Sequence, residues 1–286
     1  MTIVKSYYYI EEELLLCYNL PMSIGKNIIA FAAILSMGAG LFFFASKNDI
    51  VALFGEKVDF FAMYQNLGNP YIRYVRIPAG LRKEEVADIY GKVLAWNNQD
   101  RKDFLNENEE TATDLEGYYF PSTYVLPMDA SGEEVKDKML QTFNKNVTVL
   151  SKDKINVDTA LKIASLIQRE AAGKQDMNLI SGIIWNRIWA GMSLDIDATL
   201  QYAKGSEKKW WPVVLSADKQ IASPYNTYKN TGLPPTPIAS PGLAAIEAAY
   251  NPQKTSCLFY FHDDNRLIHC SKTYAEHQRG VEEYLR

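Results

Sequence analysis

Glu170 is the side chain with the strongest claim to chemistry. It stands in the stretch ASLIQREA, with Ile163, Leu166 and Ile167 seven, four and three residues before it. At helical spacing those three share its side, so its carboxyl falls at the edge of an apolar arc. Desolvation there raises a carboxyl pKa, as a general acid working near neutral pH requires. A glutamate pairing with an arginine at the rim of a core has the same pattern, so the helix alone leaves both readings open.

Other polar residues sit where they could serve such an acid. Asp195 and Asp197 lie in GMSLDIDATLQYA. Either could join Glu170 as the second carboxylate of a glycosidase, or simply form a turn after Gly191. Glu116 is followed by Tyr118, Tyr119, Phe120 and Tyr124, which make either a sugar-stacking wall or core. Asn186 and Arg187 fall inside an otherwise apolar helix, and Asn226 and Thr227 in a proline-rich loop. Their amides, hydroxyl and guanidinium suit N-acetyl, hydroxyl and lactyl groups; they could equally satisfy nearby backbone.

Other chemistries find no support. The chain has no Ser-His-Asp motif, P-loop, HExxH or dinucleotide fingerprint. Three cysteines (Cys17, Cys257, Cys270) and three histidines (His262, His269, His277) show no metal-ligand spacing, so neither metal nor cofactor is expected. A net charge of -4 over 286 residues argues against nucleic acid, which wants a basic stripe.

These residues need elements to position them. Tyr74 to Ile77 alternates like a strand, Pro78-Ala79-Gly80 turns the chain, and Leu81 to Leu94 is patterned as a helix. Asn97 to Asp114 reads as a loop or short helix, and Gly132 to Phe143 as a further helix. Val157 to Ala172 is a strong amphipathic helix capped by Asn156 or Asp158. Asp176 is placed to cap a helix from Met177 to Ala190, which Gly191 stops in a left-handed turn. Ile221 to Pro241, with five prolines, is a long loop of the functional kind. Ser240 and Pro241 then open a helix ending near Asn251. A hairpin pairs Cys257–His262 with Arg266–Ser271, and Thr273 with Glu276 makes a capping box for the last helix. If the two-residue turn Asp263-Asp264 closes the hairpin, Cys257 and Cys270 face each other, close enough for a disulfide or for two free thiols.

Asn27 to Ser46 reads NIIAFAAILSMGAGLFFFAS without a charge, bounded by Lys26 and Lys47. Twenty helical residues rise about 30 Å, the thickness of a bilayer's hydrocarbon. The expectation is one uncleaved anchor, with residues 1–26 cytoplasmic and the rest outside the membrane. Met22, directly before the apolar run, is an alternative translation start.

Taken in order, LEGYYFPSTY, ASLIQREA, IIWNRIWAGMSLDIDATLQYA, SPYNTYKNTGLPPTPIASPGLAAIEAA and the tail from Leu258 to Tyr284 resemble the endolytic murein transglycosylase family, also called MltG or YceG-like. The resemblance runs from about Val75 to the C-terminus and includes the anchor. It implies that Glu170 is the catalytic acid and base. Family members often carry a glutamate two residues earlier, where this chain has Gln168. An SDPT-like stretch becomes DIDAT, keeping Asp197 and Thr199 and lacking a proline. YNTY (Tyr225–Tyr228) and GLPP (Gly232–Pro235) are intact. VRIPAGLRKEEVADIY resembles the core of a LysM-like wall-binding subdomain.

The implied fold is α+β: an anchor at 27–46, a linker and partial LysM-like subdomain at 47–114, and a mixed helical catalytic domain with a C-terminal hairpin and helix at 115–286. The implied reaction cuts the bond between N-acetylmuramic acid and N-acetylglucosamine in peptidoglycan, leaving 1,6-anhydro ends on nascent strands. Substrate contacts are expected from Glu116, Tyr119, Asn186, Arg187, Asp197, Thr199, Tyr225, Asn226 and Thr227. The expected partners are glycan strands and the wall-synthesis machinery, at the plasma membrane with the catalytic domain outside. The alternatives are a lysozyme-like hydrolase, activating water through Asp195 or Asp197, and a non-catalytic wall-binding or divisome scaffold.

Overall fold

The computed structural model describes residues 69–106, 114–150 and 155–285. The expected anchor, the segment before it, Met22 and Cys17 all lie outside the described residues. Among the described residues, no helix is long and apolar enough to cross a membrane.

The N-terminal part is a small α/β layer. Strand β1 (Ile72–Arg76) pairs antiparallel with β2 (Thr123–Pro127), Tyr74 opposite Val125. Helices α1 (Lys83–Leu94), α2 (Asn98–Leu105) and the first half of α3 (Gly132–Val147) cover the sheet. Alternation puts Val75 inside from β1 and Tyr124 and Leu126 from β2. They meet Val86, Ala87 and Tyr90 of α1, Phe104 of α2, and Val135 and Met139 of α3 in one apolar cluster. That cluster therefore draws on residues from both sides of position 115. The proline at 121 that breaks the aromatic run leaves room for β2, a strand not read from the sequence.

The larger layer is mainly helical. Helix α4 (Val157–Glu170) is capped by the Asn156 side chain, which accepts the Thr159 N–H at 2.7 Å. Its apolar face buries Ile163, Leu166 and Ile167 completely. Each such burial contributes about 1.5–3 kcal/mol. Helix α5 (Lys174–Trp189) begins three residues before the expected start, with Gly173 as its cap. Asp176 is not the cap: it is buried, and its carboxylate lies 3.2 Å from His262 Nε2. Gly191 has φ +65°, the left-handed stop expected of it. Helices α6 (Asp197–Lys204) and α7 (Leu243–Tyr250) pack on α4. Gly242, rather than Ser240, caps α7, and Ser240 is buried.

A hairpin, β3 (Phe259–His262) and β4 (Ile268–Ser271), and helix α8 (Tyr274–Tyr284) close the chain. Thr273 and Glu276 form the expected capping box. The hairpin register differs from expectation. The turn is longer than two residues, and Tyr260, not Cys257, faces Cys270. Cys257 and Cys270 are nevertheless disulfide-bonded, with Cα atoms 5.8 Å apart. Leu258 N–H donates to Ser271 C=O although Phe259 is already the partner of Ser271. Two residues thus face one, the count of a β-bulge, and the extra residue draws Cys257 back against β4.

Candidate active site

Glu170 is the last residue of α4, followed by the extended Ala171. A carboxylate at a helix C-terminus meets the negative end of the dipole, which disfavours its charge. Burial pushes its pKa above the usual carboxylate range; a hydrogen bond from Tyr260 opposes this, the charge of Asp197 adds to it, and Arg169 and Arg187 pull it back. The residue as a whole is half-buried. Tyr260 Oη donates to Glu170 Oε2 at 2.7 Å. Burial first, then the charge of Glu170, holds the Tyr260 phenol far above its usual range, so it stays a donor.

A second carboxylate–tyrosine pair stands beside the first. Tyr228 Oη donates to Asp197 Oδ1 at 2.6 Å. Burial and that carboxylate raise the Tyr228 pKa, and the charges of Asp195 and Glu170 also reach it. Lys219 Nζ lies 4.4 Å above the Tyr228 ring. The two pairs enter from different elements: Glu170 from α4, Tyr260 from β3, Asp197 from the start of α6, and Tyr228 from the proline-rich loop.

Several residues expected to contact substrate make hydrogen bonds within the protein. Thr199 and Thr227 are buried with hydroxyls 2.9 Å apart. Thr199 donates to Ile196 C=O, and Ile196 N–H donates to Thr227, which ties the start of α6 to the loop. Asn226 is fully buried; its amide donates to Lys219 C=O and Ile221 C=O and accepts from Tyr228 N–H. The Asn226 side chain is thereby committed to shaping its own loop. Asn186 Nδ2 donates to Thr255 C=O and Cys257 C=O. Arg187 donates from Nε to Leu258 C=O at 2.6 Å, and from one terminal nitrogen to Leu194 C=O at 2.6 Å and Ser193 C=O at 3.2 Å. The same nitrogen is 3.6 Å from Asp195, which is exposed and has φ +54°.

Glu116 and Tyr119 lie away from any exposed wall. Glu116 has no exposed surface; its carboxylate accepts from Lys83 N–H, Gly117 N–H and Tyr202 Oη. Gly117 at φ +86° is required here, since a Cβ would stand 2.6 Å from Pro237. Tyr119 is fully buried, stacked on Phe104 and bonded through its hydroxyl to Phe104 C=O. Phe120 and Tyr124 are also core, and Tyr118 packs on Phe143. Tyr225 bonds Thr236 through its hydroxyl at 2.8 Å and packs on Tyr202. Of the expected set, Glu170 and Asp197 come together, and the others mostly hold the elements that carry them.

Tyr260 was missed, because a tyrosine in FYFH leaves no local mark of a helix ninety residues away. Tyr228 had a signal, as the last residue of YNTY. Gln168 has a role of its own: Oε1 accepts Gly242 N–H at 3.0 Å, which fastens the start of α7 to α4. His262 and His269 are each paired with an aspartate, Asp176 and Asp263. Among the described residues, no group of three or more His, Cys, Asp or Glu side chains stands ready to hold a metal ion.

The model of the YceG-like family matches residues 47–283. The chain belongs to the YceG-like family. Relatives agree with that placement. An endolytic murein transglycosylase of Bacillus subtilis is 38% identical over 199 residues, covering 66% of this chain and 54% of the relative. One from Streptococcus pneumoniae is 35% identical over 179 residues, covering 60% of this chain and 32% of the relative. The chain thus spans about half of one curated relative and about a third of the other. The crystal structure of a yceG-like protein from Listeria monocytogenes superposes with a TM-score of 0.65 at 27% identity, over 79% of this chain and 81% of that one. The YceG-like fold therefore extends over the layers that carry Glu170, Asp197 and their tyrosines.

Proposed function

We propose that this YceG-like chain is an endolytic lytic transglycosylase that cuts peptidoglycan glycan strands between N-acetylmuramic acid and N-acetylglucosamine. The observation that carries the reading is Glu170: a desolvated carboxyl with a raised pKa in a half-buried residue, held by one phenol and within reach of the charge of Asp197. The names of the relatives supply the substrate class.

Protonated Glu170 gives its proton to the glycosidic oxygen as the bond to the muramic C1 breaks. The carboxylate then takes the proton of the muramic C6 hydroxyl, whose oxygen bonds to C1. The product is a 1,6-anhydro end, and Glu170 is again protonated. Because the nucleophile belongs to the substrate, one carboxyl performs both transfers in sequence. The negative charge of Asp197, which reaches Glu170, suits it to ease an oxocarbenium-like centre. Its nearness to Glu170 also supports a second reading, a hydrolase in which Asp197 activates water.

Digestion of purified peptidoglycan, followed by mass spectrometry of the fragments, tests the choice. Anhydro ends are expected. Reducing ends would move the assignment to the hydrolase, and uncut strands would leave a wall-binding scaffold. The apolar run at 27–46 and a disulfide suited to an oxidising compartment support placing the domain outside the plasma membrane, on nascent strands beside the synthesis machinery.

A further inference from the structure

A carboxyl that both gives and takes a proton has two oxygens, and the chemistry proposed above needs only one of them. Tyr260 Oη approaches Oε2 at 2.7 Å. A phenol that donates to one oxygen makes that oxygen the carbonyl-like acceptor and leaves the other to hold the proton. We propose that Tyr260 is a positioning residue that divides the labour of the Glu170 carboxyl: Oε2 is kept as an acceptor, and Oε1 carries the proton out to the leaving oxygen and back from the C6 hydroxyl. The proposal rests on the reading of Glu170 as acid and base.

Three features support a fixed role for this hydroxyl. First, Tyr260 sits on a braced strand. Cys270, its partner across the ladder, is disulfide-bonded to Cys257, and the Arg187 guanidinium holds Leu258 C=O two residues before it. Second, the phenol remains protonated, because its burial and the neighbouring carboxylate resist ionisation, so it does not compete as a proton source. Third, the Asp197–Tyr228 pair repeats the arrangement beside it. Among the described residues, the charged and titratable groups that reach Glu170 include Tyr260 from β3, Asp197 from α6, Tyr228 from the loop, Arg187 from α5 and Arg169 from its own helix. Of these, Tyr260 makes the direct hydrogen bond.

The test is the pH profile of glycan cleavage by the full-length chain and its Tyr260→Phe variant, with kcat and KM separated. Phenylalanine keeps the ring and removes only the donor that favours the ionised carboxyl. The basic limb, where Glu170 loses its proton, should move up by about one pH unit, since a hydrogen bond to an ionised group is worth on the order of tenfold. The turnover number should fall about tenfold as the proton is shared between two oxygens and orientation is lost, with KM little changed. A basic limb at the wild-type pH overturns the proposal. If the variant does not fold, 3-fluorotyrosine at position 260 replaces it. As a stronger donor it should move the limb to lower pH, and an unmoved limb overturns the proposal equally. Failure of the underlying reading shows separately, as cleavage retained in Glu170→Gln whatever stands at position 260.

Discussion

Glu116 and Glu170 are two desolvated glutamates with tyrosine donors and opposite fates. Tyr202 donates to Glu116 at 3.3 Å, and Tyr260 donates to Glu170 at 2.7 Å. Burial raises both pKa values, that of Glu116 to about 8, with help from the charge of Glu84 and against Lys83 and Arg82. Yet Glu116 is sealed in and further bonded by the N–H groups of Lys83 and Gly117, so its oxygens are spent inside the protein. Glu170 is half-buried as a residue and has one direct donor among the described residues. A perturbed pKa therefore does not by itself name a catalyst. The number of internal donors spent on each carboxyl separates the two.

The sharpest way to break this contrast is Glu170→Gln. The amide still accepts from Tyr260 but delivers no proton, so cleavage should fall at least about a hundredfold. The melting temperature should hold, because no buried group loses its partner. Near-normal turnover would erase the distinction.

Glu116→Ala should show the reverse. It leaves two N–H groups and a phenol without their acceptor, at a cost of about 1–3 kcal/mol in chemical denaturation. Cleavage per folded molecule should be retained, and a loss of turnover at unchanged stability would place Glu116 in the chemistry after all. The pH dependence follows from its raised pKa. A carboxyl that binds its proton more tightly when folded adds stability that is full below the unfolded value near 4.5 and is lost as pH rises through about 8. The wild type should therefore lose stability across that window, and Glu116→Gln should flatten the decline.

The smallest effect is expected from Tyr202→Phe. It removes one donor from Glu116 but keeps the ring under the Arg82 guanidinium, 4.0 Å from the ring centre. A loss of about 0.5–1.5 kcal/mol is expected. A larger loss would show that the phenol, not the backbone, satisfies Glu116.

The same contrast explains how far the sequence could be read. Helical periodicity located α4 and the edge position of Glu170, because a 3.6-residue pattern records which side meets the core. It also caught the stop at Gly191 and the capping box of α8. It could not record that Asn226, Thr227, Asn186 and Arg187 spend their polar atoms on backbone far away in the chain. Polar residues expected to meet sugar also bond carbonyls of the chain, and both uses draw on the same donors. The hairpin shows a different limit. A two-residue turn left a disulfide and two free thiols both open, whereas the chain makes a longer turn and a bulge, and the two cysteines are bonded. Tyr260 was invisible because its partner comes from another element.

Arg187 carries a consequence of its own. Its fork grips Leu258 C=O on the way into β3 and the carbonyls of Ser193 and Leu194 on the way into α6. One side chain thus acts as a gauge block between the strand that brings Tyr260 and the segment that brings Asp197. A lysine, with a single nitrogen, could not span both. Extra residues in the hairpin turn at 263–267, or in the stretch 205–220, lengthen the chain beyond the gripped carbonyls and leave that interval as it was. The connecting loops are free to vary in length while the spacing between the start of β3 and the start of α6 stays constant.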